Sequence, residues 1–227
     1  MMRRSSESGR EFARDGQAGH RAAPKTLSDA LDAIGQLNEE LLAALVHTAR
    51  RDSQLVFPLA ESLRSRFAKL SADKCRVISH CGVLLVDAAF TDIDRWERVD
   101  PSKSIVEQPS EWLSQDQAIA LSVAVLMLAW HVVHTAPRIS GVLLGMSEAV
   151  LNRYRELGVN DLMVLACQAS RWIQPRWINS PEVWTTIIDL ATDPVEQEPS
   201  KMTLHCLKVT ASYSNRLMAS VSYRWPA

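Results

Sequence analysis

Residues 39–92 of the chain align with residues 126–179 at a constant spacing of 87, without a gap. His47-Thr48-Ala49 falls on His134-Thr135-Ala136, Arg51 on Arg138, Glu61 on Glu148, Arg66 on Arg153, Leu70 on Leu157 and Val77 on Val164. Leu41 meets Leu128, Val46 meets Val133, Phe67 meets Tyr154, and Phe90 meets Trp177. Internal similarity at a fixed spacing implies two copies of one structural unit. A residue present at both equivalent positions reads as structural rather than catalytic, so His47 and His134 are expected to pack or to cap.

The spacing of apolar residues inside the copies is helical. Leu31, Ile34, Leu37, Leu41, Leu42, Leu45 and Val46 follow at intervals of three and four, the stripe of a long amphipathic helix. Ser28 is the expected cap at its start and Arg50-Arg51-Asp52 its end. Helices are then expected at about 60–69 and at about 72–81, the second opened by Ser71 and Asp73. The run Val83-Leu84-Leu85-Val86 is β-prone. The second copy predicts a helix over 116–135, a short segment at 141–144, a helix opened by Ser147-Glu148, and another capped by Asn160 or Asp161. Trp172 to Trp177 reads as extended. Further helices are expected at about 181–191 and 200–222. The chain is therefore all-α: a leader over 1–25, a first unit over 26–97, a linker over 98–111 with Pro101 and Pro109, a second unit over 112–192 and a helical tail over 193–227.

With 227 residues, 47% of them apolar, such a chain can bury a core without staples. Its net charge of −1 lacks the basic excess usual in a protein that holds nucleic acid alone. Cys75, Cys81, Cys167 and Cys206 are scattered, with no CxxC pair. That argues against a disulfide framework or a zinc knuckle and for a reducing, cytoplasmic setting. In the first 25 residues Arg3, Arg4, Arg10, Arg14, Arg21 and Lys25 outnumber Glu7, Glu11 and Asp15, with no apolar run of a secretory signal. They read as a disordered leader, with a basic arm near DNA as the functional alternative. Ile119 to Val133 is nearly all apolar but short of the ~20 residues that span a bilayer. It also holds Ser122 and His131. A helix surrounded by other helices is the preferred reading, without a membrane.

No pattern of catalysis is present: no GxSxG, no phosphate-binding glycine loop, no HExxH. His131 and His134 have an i, i+3 spacing but no carboxylate or cysteine beside them to complete a metal site. No enzyme, metal or cofactor is expected. Residues 147–171 have the outline of a helix–turn–helix about Gly158-Val159-Asn160. Arg153, Arg155 and Arg171 there, and Arg64, Arg66 and Lys69 in the first copy, are candidates for phosphate contact. A solvated basic face is the plainer alternative for this chain alone. Leu41, Leu45, Leu128, Val132, Trp172 and Trp177 are candidates for an interface, between the copies or with a partner, core being the simpler role for the tryptophans.

The repeated unit resembles the flagellar transcription regulator FlhD family. The first copy carries Ile34, Asn38 and Leu41-Leu42, then Asp52, Phe57-Pro58-Leu59-Ala60-Glu61, Leu70-Ser71 and Phe90-Thr91-Asp92. The second carries Leu144-Gly145-Met146-Ser147-Glu148, Leu157, Leu162, Leu165-Ala166 and Arg176-Trp177, and Leu204-His205 through Ser214-Asn215-Arg216-Leu217-Met218 is similar to the family's tail. The family's subunit-bridging cysteine is absent, Val86 and Ile173 standing in its place. The family has single units and this chain two, so the resemblance implies an intramolecular counterpart of the FlhD dimer, monomeric or part of a higher complex. It also implies a transcription-regulator subunit that acts with an FlhC-like partner, that partner carrying a zinc site and most of the DNA contact. A helical adaptor or chaperone-like component of a secretion or conjugation apparatus, without DNA contact, is the competing expectation.

Overall fold

The computed structural model describes residues 26–51, 56–98, 111–192 and 199–221. The expected leader and almost all of the linker over 98–111 lie outside these residues. Ten α-helices are formed among the described residues, with one 3₁₀ turn and one short ladder. The fold is all-α.

Helix α1 (Leu27–Arg50) is long because its apolar stripe has somewhere to go: Ile34, Leu37, Leu41, Leu42 and Leu45 are all buried. Its cap is Thr26, not Ser28. Thr26 Oγ1 accepts from Asp29 N–H at 3.1 Å while the Asp29 carboxylate accepts from Thr26 N–H at 3.0 Å. This reciprocal pair needs a carboxylate three residues on, which Thr26 has and Ser28 lacks. Helix α2 (Glu61–Ala68) and α3 (Ala72–Ser79, capped by Ser71) follow. In the second half come α5 (Gln115–Thr135), the short α6 (Ser140–Leu144), α7 (Glu148–Glu156, capped by Ser147) and α8 (Val159–Ala169). The cap of α8 is Gly158, and Asp161 serves it from the third position by accepting Gly158 N–H at 2.9 Å. Glu61 and Glu148 start α2 and α7, and Ala72 and Val159 start α3 and α8, each 87 residues apart.

The expected β-run and extended segment reduce to a ladder of two residues a side. Strand β1 (Val86–Asp87) pairs antiparallel with β2 (Gln174–Pro175), with Asp87 opposite Gln174. Those two residues are themselves 87 apart, and Gln174 Nε2 donates to Asp87 Oδ2 at 3.2 Å. The strands stop short because Pro175 offers no N–H and because Ala89 and Trp177 take positive φ angles of 58° and 54°. Trp172, expected in the extended segment, instead ends a 3₁₀ turn over Ser170–Trp172.

Beyond the ladder each half closes on the other. Helix α4 (Ile93–Glu97), which periodicity did not predict, sets Trp96 against Tyr154 of α7, ring centroids 5.0 Å apart. Helix α9 (Pro181–Thr192) sets Trp184 against Phe67 of α2 at 5.6 Å. Trp96 also packs on Phe90 at 6.4 Å and Trp184 on Trp177 at 6.3 Å. Each indole N–H is satisfied, Trp96 donating to Ala89 O and Trp184 to Arg176 O.

Helices α1 and α5 pack together, and α5 also lies against α6, α7, α8 and the 3₁₀ turn. Among the described residues α5 is the one helix long and apolar enough to cross a membrane, by length and composition. None of residues 121–133 is exposed, and half of the helix's apolar window is buried inside the protein. Helix α10 (Pro199–Val221) closes the chain against α9 and α6.

Candidate functional site

The two helix pairs α2–α3 and α7–α8 carry the candidate phosphate contacts. Their cations are largely engaged within the chain. Arg66 is paired with Asp189 of α9. Arg64 meets Glu61 at 3.5 Å and donates to Arg51 O at 3.1 Å. Arg153 pairs with Glu156 at 3.2 Å, and Arg155 donates to Asn152 Oδ1 at 2.8 Å. Arg171 lies over the Trp172 ring, 5.6 Å from its centroid. Lys69 is exposed at the end of α2. Exposed pairs of this kind add little stability, but each gives its guanidinium a partner within the chain.

The two halves differ most at α3 and α8. Helix α3 carries Lys74 and Arg76, Arg76 lying 3.9 Å from Glu39 of α1. Helix α8, where a helix–turn–helix would place its reading surface, has one charged residue, Asp161, already occupied at its own N-terminus. Its outer face instead exposes Val159, Met163 and Val164. Helix α8 therefore offers phosphate no cation of its own, only polar side chains such as Asn160 and the N–H groups of its first turn.

Leu41, Leu45, Leu128, Val132, Trp172 and Trp177 lie in the interior, between 0% and 9% exposed. Leu41 and Leu45 lie on α1, Leu128 and Val132 on α5, and the chain's own elements cover all six. His47 and His134 are both exposed in the last turns of α1 and α5, where imidazole faces the negative helix end. His134 Nδ1 meets Trp130 O at 2.8 Å and its ring lies 4.3 Å from that of Trp130. The neighbouring Thr48 and Thr135 both return a hydroxyl proton to the carbonyl four residues back, Ala44 O and His131 O, at 2.9 and 2.7 Å. The shared His-Thr-Ala sequence is thus a helix ending.

The segment between α3 and β1 holds what sequence reasoning passed over. Asn38 of α1 is fully buried, and its amide donates to Ser79 O at 2.9 Å and Val83 O at 2.8 Å while accepting from Leu85 N–H at 2.8 Å. Arg176, after β2, donates to Leu84 O at 2.9 Å and lies over the Trp177 ring. Burial of the guanidinium lowers its pKa to about 10, against the opposing pull of Asp87, so it stays charged at neutral pH. Gly145 makes room for it: φ there is +70°, and a Cβ would fall 1.3 Å from Arg176 Nη2. A cation between two tryptophans, in Trp172-Ile173-Gln174-Pro175-Arg176-Trp177, was the available signal. Against the same segment lie Cys81 and Cys206, both wholly buried.

No group of His, Cys, Asp and Glu able to hold a metal occurs among the described residues. Comparison with protein families, with curated proteins and with solved structures finds no match.

Proposed function

We propose that the chain is a transcription-regulator subunit resembling FlhD, built to bind a protein partner and to leave base reading to that partner. The observation that carries this reading is the outer face of α8, which offers Val159, Met163 and Val164 where a DNA-reading helix would offer cations. The engagement of Arg66 with Asp189 and of Arg153 with Glu156 supports it, as does a net charge of −1. An FlhC-like regulator with its own zinc site is the partner the resemblance implies, DNA being reached through the complex. The protein is read as cytoplasmic, non-enzymatic and free of cofactors.

Within this reading the chain is a tandem of two FlhD-like units folded as an intramolecular counterpart of a dimer. The pairing of Asp87 with Gln174, its own counterpart at a spacing of 87, supports it, since a two-fold relation brings equivalent residues face to face. So does the reciprocal placement of Trp96 on α7 and Trp184 on α2.

The test is a gel-shift with the chain alone and with a co-purified partner. A shift only with the partner is expected, and a specific shift by the chain alone overturns the reading. Light scattering is expected to give the 25.3 kDa monomer mass for the free chain; a dimer with no monomer overturns the intramolecular pairing. The competing adaptor role draws on the same apolar face of α8, and a captured partner from a secretion or conjugation apparatus would select it.

A further inference from the structure

Cys81 and Cys206 lie 125 residues apart in sequence, on segments that touch in the interior. Cys81 sits just after α3 in the segment that Asn38 pins, its Sγ 3.3 Å from Val83 O and 3.9 Å from Asn38 Nδ2. Cys206 lies on α10, one turn beyond Thr203. Helix α10 presses on the Cys81 segment so closely that a Cβ on Gly82 would lie 2.9 Å from Thr203 Cγ2. Both thiols are wholly buried where these two segments touch, and each is the largest influence on the other's pKa, with the guanidinium of Arg176 acting on both. The other two cysteines, Cys75 and Cys167, are half-buried and exposed.

We propose that Cys81 and Cys206 form a redox-responsive pair which a hydroperoxide joins in a disulfide, locking α10 onto the segment between α3 and β1. The chemistry balances with hydrogen peroxide as oxidant. The thiolate of Cys81 attacks one peroxide oxygen, breaking the O–O bond and leaving a sulfenic acid and water. The sulfur of Cys206 then attacks the sulfenic sulfur, the S–O bond breaks, and a second water departs with the remaining proton. Two thiols and one peroxide thus give one disulfide and two waters, and a small-molecule thiol reverses the change by exchange. The interaction with Cys206 and, more weakly, the charge of Arg176 favour Cys81 as the attacking thiolate: its pKa is lowered from the ordinary thiol value, while the same interaction and burial raise that of Cys206. Access comes from transient local opening where α10 meets the Cys81 segment, and reclosure returns Cys206 to the oxidised sulfur.

The test uses the full chain. After treatment with hydrogen peroxide, the remaining thiols are alkylated in denaturant and the digest is read by mass spectrometry. A peptide pair cross-linked through Cys81 and Cys206 is expected, with a rise in thermal midpoint that dithiothreitol reverses. Cys206→Ser and, separately, Cys206→Ala are expected to abolish both changes. Two variants keep the outcome readable if one folds poorly, and wild-type mapping needs neither. Free alkylatable thiols at both Cys81 and Cys206 after a dose that oxidises Cys167 would overturn the proposal, as would a cross-link confined to other cysteines.

Discussion

The two long helices occupy equivalent places and hold their surroundings by different physics. In α1, Asn38 reaches across to Ser79, Val83 and Leu85 with three hydrogen bonds. In α5 the residue 87 positions later is Val125, buried with no polar role. The first half is pinned by a satisfied amide, which demands one geometry. The second is filled by apolar contact, which tolerates several. The same divergence reaches the surface, where α3 shows Lys74 and Arg76 while α8 shows Val159, Met163 and Val164. Helices at the same spacing can therefore keep similar starts and caps while single positions change what surrounds them, because caps and core spacing act locally and each side chain chooses its own chemistry.

The strongest way to break this comparison is at the crossed tryptophans. Trp96→Ala and Trp184→Ala each empty a fully buried indole site, and each is expected to cost about 3–5 kcal/mol in urea unfolding. A loss well under this in one variant would show that only one half closes on the other. Next comes the pin. Asn38→Leu strands two carbonyls and one N–H in the interior, with an expected loss of about 3 kcal/mol. Val125→Asn buries an amide without partners, with a similar loss. A loss well under about 1 kcal/mol for either change in chemical denaturation would erase the distinction drawn between the halves.

A smaller effect is expected at Gly145, whose place in the first half is taken by Pro58. Gly145→Ala meets both a positive φ and the Arg176 side chain, and about 2 kcal/mol should be lost. Tyr154→Phe acts in the opposite direction. The Tyr154 hydroxyl is buried without a partner, and burial pushes its pKa well above the ordinary phenol value. Removing it is expected to leave stability unchanged or to raise it by about 1 kcal/mol; a clear loss in calorimetry would mean that the hydroxyl has a role.

The smallest effect is in pH. Burial lowers the pKa of His131, helped by His134, and that of His205, helped by Lys208. The folded chain therefore takes up these protons less readily than the unfolded one. Stability from both is complete above the ordinary histidine pKa of about 6.5 and declines as pH falls below it. His131→Gln should flatten the fall in thermal midpoint between neutral and mildly acidic pH, and an unchanged profile would remove His131 from that account.

The sequence by itself determined the longer helices, though not α4, together with the caps at Ser71 and Ser147 and the spacing at which α2 and α3 recur as α7 and α8. These depend on neighbours within one turn: a hydroxyl before an amide, a leucine three or four residues on. The matched His-Thr-Ala segments were legible for the same reason, since Thr48 and Thr135 find their acceptors four residues back. Even local reading failed at Thr26 and Gly158, where a carboxylate at the third position decides the cap. Tertiary structure alone decided the rest. The partners of Asn38 lie 41 to 47 residues away, Arg66 meets Asp189 across 123 residues, and Trp96 and Trp184 cross between halves. Whether an arginine faces a phosphate or an aspartate, and whether a buried cysteine has a second thiol beside it, depends on which distant surfaces fold together. Apolar spacing commits a helix to burying a face but does not say against what.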